Sequence, residues 1–236
     1  MVNTDVHIGY VLHSRPFRDT SAIVEFFFRD IGRVPIIFKG IKRSGKSAAK
    51  SRLLQPFSRL AVGFYGRSDM KTGTLVESDG HSVLLQGKQL FSGMYLNELL
   101  TRLLHRHEPY GELFELYEAA LQNLLQSNFE PTLRIFEHHL LSQLGYEIPL
   151  FGDATGADFH AQSWYLYEPE QGFVLSEIQP PPSKLLGRCF VGSELMAIAQ
   201  QQYEDEAVLK AAKRLSRLAL APHLGDQPLQ SRKLFS

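Results

Sequence analysis

The chain has 236 residues, of which 44% are apolar and 21% are charged, and its 25 Lys and Arg residues balance 25 Asp and Glu residues. These values are typical of a globular protein of one or two domains, and they exclude wholesale disorder. No apolar run approaches the length of about 18 residues that spans a membrane, and the first residues lack the pattern of a signal peptide. We therefore expect a cytoplasmic protein.

The first third of the chain alternates between apolar and polar residues with the period of β-strands. Short strands are predicted at residues 10–13, 22–28, 34–39, 59–65 and 74–77, with a helix-sized insert at residues 48–54. The alternation points Val34 and Phe64 inward and leaves Arg33, Arg59 and Tyr65 outward. This pattern predicts a small OB-type barrel, with an SH3-like barrel as the alternative.

After Gly87 the apolar residues follow a helical period instead. Helices are predicted at about residues 88–107, 112–126, 131–144 and 205–221, and a hairpin at about residues 164–176. Pro222 is expected to end the last helix. The predicted fold class is α+β, with an OB-type barrel in residues 1–80 and a mainly helical domain in residues 81–236.

Residues 31–68 contain nine basic side chains and no acidic one, since Asp30 and Asp69 flank the segment. The rest of the chain carries 16 basic against 25 acidic residues, so a neutral total hides a positive lobe on an acidic body. Clustered Lys and Arg without interspersed acids favour a polyanion site over a merely solvated loop. The nine residues are Arg33, Lys39, Lys42, Arg43, Lys46, Lys50, Arg52, Arg59 and Arg67.

Residues 40–47 (GIKRSGKS) match the P-loop pattern, which cradles phosphates with backbone N–H groups and a Lys. A P-loop NTPase also needs a long following helix and a later apolar strand that ends in Asp. Here Pro56 cuts the helix short, and no such strand follows. We therefore interpret the match as a chance similarity, although NTP hydrolysis stays an alternative.

Nothing else in the sequence indicates catalysis or a cofactor. The histidines show no metal-ligand spacing, and the single cysteine, Cys189, cannot complete a zinc site alone. We expect a buried structural thiol at this position. The protein is accordingly predicted to be no enzyme.

The last predicted helix carries four basic residues on one face, with no acidic residue expected beside them. They are Lys210, Lys213, Arg214 and Arg217. Arg134 stands alone in an apolar helix, either as a surface residue or as a paired anchor. A solvated helix face is as good an explanation of the stripe as a binding surface.

Several segments together resemble the RecO family of recombination mediators. They are residues 11–16 (VLHSRP), 32–34 (GRV), 39–40 (KG), 54–57 (LQPF), 95–100 (YLNELL), 133–137 (LRIFE), 144–146 (LGY) and 228–232 (PLQSR). The resemblance covers nearly the whole chain in the right order. Because some family members carry a four-cysteine zinc module after the LGY segment and this chain has only Cys189 there, it resembles the zinc-free branch.

The resemblance implies an N-terminal OB fold, a helical C-terminal domain and a nucleoid-associated role in recombinational DNA repair. It implies binding of single- and double-stranded DNA and annealing of complementary strands. It also implies loading of RecA onto DNA coated by the single-stranded-DNA-binding protein, with RecR as a partner. An OB-type RNA-binding module is the remaining alternative from the residues alone.

Two groups of site residues are predicted. The DNA-binding group, whose outward strand residues are expected to be neighbours, comprises Arg33, Lys39, Lys42, Arg43, Lys46, Lys50, Arg52, Arg59 and Tyr65. The second group is predicted to rim an apolar groove for the acidic tail of the single-stranded-DNA-binding protein, and comprises Arg134, Lys210, Lys213, Arg214 and Arg217.

Overall fold

The computed structural model describes the backbone of residues 5–41 and 46–235, and their side chains except those of residues 46–49, 232 and 235. The chain divides into two compact units. Unit 1 holds residues Met1–Ser127 and Leu229–Ser236, and unit 2 holds Asn128–Pro228. Across the described residues, no helix has the length and apolar character needed to cross a membrane.

Unit 1 is built on a closed barrel with the strand order β1-β2-β3-β5-β4. The strands are β1 (Val6–Phe17), β2 (Ser21–Phe28), β3 (Gly32–Phe38), β4 (Ser58–Tyr65) and β5 (Lys71–Ser82), and helix α1 (Lys46–Leu53) lies between β3 and β4. All neighbouring strands are antiparallel except β3 and β5. This is the OB-type barrel that the sequence predicted.

The barrel core consists of the inward residues of the period-2 pattern. Every second residue of β2 and β3, from Ala22 to Phe28 and from Val34 to Phe38, belongs to one buried cluster with Leu60 and Val62 of β4. Phe64 packs against this cluster and stacks on His7, with ring centroids 5.3 Å apart. The predicted inward faces are therefore confirmed.

The predicted ranges of two strands were shorter than the strands in the structure. The first strand was predicted at residues 10–13, but β1 continues to Phe17, where Pro16 still pairs with Ala22. β5 extends from Lys71 to Ser82, since its outer residues pair along the full length of β4. The ends of β5 are polar and contain Gly73 and Gly80, so they gave no apolar alternation from which the length of this strand could be predicted.

Unit 1 also contains helices α2 (Gly87–Leu103) and α3 (Gly111–Asn123). They cover part of the outward face of the barrel, where Tyr10 and Phe27 pack against Phe114 and Tyr117 of α3. The amide of Asn97 on α2 donates to the carbonyl of Leu12 at 2.8 Å. A second apolar core thus lies outside the barrel.

The last residues of the chain return to unit 1 and pack on α2. The backbone N–H groups of Gln230 and Ser231 each donate to the Glu98 carboxylate at 2.8 Å, and the Ser231 hydroxyl donates at 2.6 Å. Leu229 is buried beside them. One carboxylate on α2 therefore fixes the start of the final 3₁₀ helix, Ser231–Phe235.

Unit 2 combines a small sheet with three α-helices and a short 3₁₀ helix, Ser183–Arg188. Strands β6 (Trp164–Glu168), β7 (Gly172–Leu175) and β8 (Cys189–Val191) form a sheet in the order β7-β6-β8, and the helices are α4 (Glu130–Gln143), α5 (Gly192–Ala199) and α6 (Glu206–Leu224). The sequence did not predict β8 or α5, which are only 3 and 8 residues long.

Helix α6 begins where Asp205 accepts a hydrogen bond from the N–H of Ala207 at 2.7 Å. It continues past Pro222 to Leu224, so the prediction that Pro222 ends this helix was wrong. Helices α2 and α3 lie in the same compact unit as the barrel, and the domain boundary at residues 80 and 81 stays a prediction.

Candidate nucleic-acid interface

Strand register divides the outward face of the barrel into a covered end and an open end. Residues that are directly opposite in register point to the same face. At the covered end, Phe27 of β2 lies opposite Tyr10 and Arg33 and beneath α3. At the other end, called the open end because Arg15, Lys39 and Tyr65 are exposed there, the buried Ile23 of β2 lies opposite Arg15 and the half-buried Ile37. The predicted site residues are distributed between these two ends.

Arg33 lies at the covered end in a buried ion pair. Its Nη1 atom is 3.0 Å from Oε1 of Glu25, and the two side chains are only 13% and 10% exposed. Burial lowers the pKa of Arg33, and the Glu25 carboxylate acts against this shift. Arg106 also lies 3.7 Å from Glu25. Arg33 is therefore paired with a carboxylate of its own unit.

The turn before Arg33 is held tightly at the same end. A Cβ on Gly32 would lie 1.7 Å from the carbonyl oxygen of Glu108, and the N–H of His107 donates to the carbonyl of Arg33 at 3.0 Å. Gly32 has a φ of 66°, a conformation that glycine adopts without steric cost. The loop between α2 and α3 therefore closes over this part of the barrel.

Arg59 also binds acidic side chains. Its guanidinium lies 2.7 Å from Glu118 of α3 and 3.0 Å from Asp79 of β5. The hydroxyl of Tyr10 donates to the same Glu118 oxygen at 2.9 Å. Burial and the Glu118 carboxylate raise the pKa of Tyr10 well above its ordinary value. Arg59 is thus part of the contact between the barrel and α3.

The prediction of nine unopposed positive charges was wrong for these two residues. Glu25, Asp79 and Glu118 lie outside residues 31–68 in the sequence, yet the fold brings them to Arg33 and Arg59. The four outward residues predicted as neighbours are also separated. Arg33 and Lys39 are six residues apart along one chain segment, which spans about 20 Å when extended.

The open end carries a row of residues that crosses all five strands. Register links Arg15 to Ile23, Ile23 to Ile37, Ile37 to Thr72 and Thr72 to Tyr65. Arg15 is exposed and Tyr65 is 48% exposed. Lys39 follows Ile37 by two residues and is exposed. The row therefore begins with a cation on β1 and ends with an aromatic ring on β4, and these two strands also pair with each other to close the barrel.

Helix α1 adds charge next to Lys39 in the chain. Lys50 and Arg52 are exposed on this helix, whereas the adjacent Leu54 is buried in the barrel core. A cavity of about 210 Å³ separates α1 from β1, with Pro16, Ala22 and Ile41 in its lining. Lys42 and Arg43 lie outside the described residues, as does the side chain of Lys46.

The cations of the open end lack carboxylate partners among the described residues. The ion pairs in this part of the chain include neither Lys39 nor Lys50, Arg52 or Arg15. The sequence prediction missed Arg15, which lies outside the basic segment. Its register with Ile23 was the only signal, and this requires the β1–β2 pairing to be known.

In unit 2, the basic stripe of α6 is partly neutralised. Lys210 lies 2.7 Å from Glu206, one turn earlier, so the expectation of no adjacent acid was wrong. Arg214 donates to the carbonyl of Cys189 at 3.1 Å, lies 3.5 Å from Glu194 and stacks 4.4 Å from the Phe190 ring centre. Lys213 and Arg217 are the exposed pair that is left.

Arg134 is a paired anchor and not a surface residue. It is 5% exposed, and its Nη2 atom lies 2.8 Å from Glu137, one turn along α4. Burial and the charge of Arg134 lower the pKa of His138 to about 4. A side chain held in this way cannot rim a groove without rearrangement of α4.

The structure shows where the P-loop-like segment and Cys189 lie. The segment joins β3 to α1 in a closed barrel, not in the parallel sheet of a P-loop NTPase, and its residues 42–45 lie outside the described residues. Cys189 is buried in β8, as expected, and burial raises the pKa of its thiol. No group of three or more possible metal ligands occurs among the described residues.

Comparison with known proteins gives a consistent assignment. The family described as Recombination protein O N terminal matches residues 5–80, and Recombination protein O C terminal matches residues 85–233. The DNA repair protein RecO of Pseudomonas aeruginosa (strain LESB58) is 44% identical over 227 residues, which cover 96% of this chain and 92% of that protein.

Two further relatives carry the same name. The DNA repair protein RecO of Haemophilus influenzae (strain 86-028NP) is 40% identical over 239 residues, covering 100% of this chain and 97% of that protein. That of Pseudoalteromonas atlantica (strain T6c / ATCC BAA-1087) is 40% identical over 230 residues, covering 96% and 92%. With an OB-type barrel, a helical C-terminal part and matches over nearly its full length, the chain belongs to the RecO family of DNA repair proteins.

Proposed function

We propose that this protein is a recombination mediator that binds single- and double-stranded DNA through the open end of its barrel. In this function it anneals complementary strands and, together with RecR, helps to load RecA onto DNA coated by the single-stranded-DNA-binding protein. The observation that carries the proposal is the set of exposed cations at the open end, which have no carboxylate partner among the described residues.

The arrangement suits phosphate binding without sequence preference. Lys39, Lys50 and Arg52 are exposed next to a strand row that ends in Tyr65. Cations that are not already paired release condensed counterions when they meet phosphates, and an exposed aromatic ring stacks on an unpaired base. Lys42, Arg43 and Lys46 belong to the same segment and extend this surface in our proposal.

Annealing requires no covalent chemistry from the protein. Two strands that are held by their phosphates repel each other less, while their bases stay free to pair. The protein then acts as a polycation with a defined surface, which agrees with the absence of a catalytic motif in the sequence. We therefore propose no enzymatic step.

For the acidic tail of the single-stranded-DNA-binding protein, we propose Lys213 and Arg217 as contacts on α6. They are the exposed members of the stripe, whereas Lys210 and Arg214 lie in ion pairs and Arg134 is buried. Reversal of both charges is expected to weaken binding of a tail peptide while leaving the affinity for naked DNA unchanged.

The central experiment combines strand annealing with a salt series. The triple variant Lys42→Glu/Arg43→Glu/Lys46→Glu is expected to slow annealing, both of naked strands and of strands coated by the single-stranded-DNA-binding protein. Each phosphate contact to a single strand contributes about 0.7 to the slope of log K against log salt, so the slope should flatten by about two units. Fluorescence anisotropy with a labelled oligonucleotide measures the slope.

Lys184→Glu is a charge reversal at an exposed position in unit 2, outside the proposed site. It is expected to have a smaller effect than any member of the triple variant. A triple variant that anneals and binds like the wild type would place the DNA elsewhere and contradict the proposed site. Measurable ATP or GTP hydrolysis that is lost in Lys46→Ala would contradict the proposed function itself.

A further inference from the structure

Strand β7 forms one edge of the small sheet in unit 2, whose strand order is β7-β6-β8. The N–H of Ser176 donates to the carbonyl of Trp164 at 2.8 Å, and residue pairs of two antiparallel strands alternate between bonded and non-bonded pairs. Phe173 and Leu175 therefore direct their backbone groups away from β6. A sheet edge with such groups is a template for a further strand.

A loop covers the first half of this edge and leaves the second half open. The carbonyl of Phe173 accepts a hydrogen bond from the N–H of Ala154 at 2.7 Å. For the outward N–H and C=O groups of Leu175, the described residues provide no such partner. An extended segment of another protein can therefore pair with β7 from Leu175 onward.

Three large apolar side chains are exposed along the same edge, namely Leu175 (46% exposed), Phe151 (80%) and Ile178 (61%). Phe151 follows Pro149, which packs against Gly172 at the start of β7. Ile178 follows the end of β7, where the Ser176 hydroxyl donates to its carbonyl at 2.8 Å. Because natural edge strands are usually protected by charge or by a covering segment, this exposure indicates an interaction site.

The charge around the edge has one sign. Residues 135–183 contain seven acidic residues and no Lys or Arg. Glu170 precedes β7 and Glu177 follows it; both are exposed, and neither belongs to an ion pair within the described part of unit 2. The next cations, Lys184 and Arg188, lie on the 3₁₀ helix that packs against β6 and β8. The β7 edge therefore repels phosphates and favours a cationic ligand.

These features distinguish between the possible occupants of the edge. Pairing with β7 of a second copy would bring Glu170 and Glu177 of both copies into one small interface, and like charges on paired strands are destabilising. A nucleic acid is disfavoured by the same carboxylates. An extended peptide segment with Lys or Arg between apolar residues would satisfy the backbone groups, the apolar side chains and the carboxylates together.

We propose that the edge of β7 binds an extended basic segment of a partner protein, which adds to the sheet as a fourth strand beside Leu175. Apolar side chains of the segment contact Phe151 and Ile178, and its Lys or Arg side chains lie near Glu170 and Glu177. The inference goes beyond the proposed function, in which DNA binds the barrel of unit 1 and the sheet of unit 2 has no role.

The test uses the full-length protein and a fluorescently labelled peptide of about eight alternating Val and Lys residues, within the usual length of a strand. Anisotropy should show saturable binding of this peptide and no binding of the matched peptide of Val and Glu. The Val–Lys peptide with N-methylated backbone amides keeps its charge but cannot donate to β7, so it should not bind. Hydrogen exchange of the Leu175 amide should slow when the unmodified peptide is bound.

Variants of the edge separate backbone pairing from charge. Leu175→Pro removes the outward N–H at a position where edge strands tolerate proline, and should reduce peptide binding to background. Leu175→Val keeps the N–H and should bind like the wild type. Glu170→Gln/Glu177→Gln should weaken binding about 2- to 30-fold, the range for the loss of two exposed ion pairs.

Glu204→Gln/Asp226→Asn removes two exposed acidic charges elsewhere in unit 2 and should leave the peptide affinity unchanged. Thermal unfolding checks that all variants are folded. No binding of the Val–Lys peptide, equal affinity for its N-methylated form, or wild-type binding by Leu175→Pro would overturn the inference. In sedimentation velocity, a wild-type dimer that Leu175→Pro dissociates would assign the edge to a second copy of the chain and overturn it as well.

Discussion

The covered end and the open end of the outer barrel surface carry the same kinds of residue. Arg33 and Arg59 at the covered end and Arg15 and Lys39 at the open end all lie on or beside barrel strands. The difference is in their neighbours: Glu25, Asp79 and Glu118 pair with the first two, and no described carboxylate pairs with the others. Position along the barrel decides whether a cation stabilises the fold or faces solvent.

This difference explains why charge counted along a sequence overstates charge available to a ligand. A paired, half-buried arginine such as Arg59 contributes to the packing of α3 on the barrel, and its charge is already compensated. An exposed lysine without a carboxylate contributes little to stability and much to the field around the protein. The following predictions test whether the two ends differ in this way.

The largest effect is expected from Glu25→Gln at the covered end. The substitution leaves Arg33 charged, buried and without its partner, and removing one member of a buried pair costs about 3 kcal/mol or more. Urea denaturation should show a lower midpoint at an unchanged slope m. The exposed Asp30→Asn is the matched control, for which we expect no measurable change.

DNA binding by Glu25→Gln should resemble that of the wild type at temperatures where the variant is folded. A normal denaturation midpoint would show that Arg33 is solvated in solution, and an increased DNA affinity would show that its charge can reach phosphate. Either result would remove the distinction between the two ends.

The sequence predicted the barrel well, because the strands have an apolar inner face with a strict period of two. Phe26, Val34 and Leu60 are all in the buried cluster where the alternation placed them. The outward face could not be predicted in the same way. Its coverage depends on α3, whose Phe114 and Glu118 meet Tyr10 and Arg59 across more than 50 residues of sequence.

The candidate site was predicted only in part for the same reason. Lys39 and Tyr65 are exposed as expected, but Arg15 enters the site through cross-strand register and Arg33 leaves it through Glu25. In α6, by contrast, Glu206 lies four residues before Lys210, so this ion pair could have been predicted from the sequence spacing alone. Strand pairing in three dimensions, which composition does not record, determined the changes at Arg15 and Arg33.

At the open end, Tyr65→Ala is expected to have the next largest effect. Its ring is 48% exposed, and loss of one stacked base costs about 1–3 kcal/mol of binding free energy. The salt slope should stay unchanged, because no phosphate contact is lost. Anisotropy titrations at three salt concentrations measure both quantities, and Tyr65→Phe, which keeps the ring, should bind like the wild type.

A matched pair of charge removals compares the ends directly. Lys39→Gln should reduce the slope of log K against log salt by about 0.7, the value for one phosphate contact to a single strand. Arg59→Gln should leave the slope unchanged but lower the denaturation midpoint, because it breaks the contacts with Asp79 and Glu118. Exchanged results for the two variants would reverse our assignment of the ends.

The smallest effect is expected in unit 2, where α6 repeats the contrast between a bound and a free cation. Arg214→Lys removes the planar group that stacks on Phe190 and donates to the Cys189 carbonyl. Since Arg214 is partly exposed, with a side-chain exposure of 35%, we expect a loss of only about 0.5–1 kcal/mol in stability. Lys213→Ala, one residue earlier and exposed, should unfold like the wild type. Denaturation of both variants under the same conditions makes the comparison, and equal midpoints would show that Arg214 is as free as Lys213 and available to the same acidic partner.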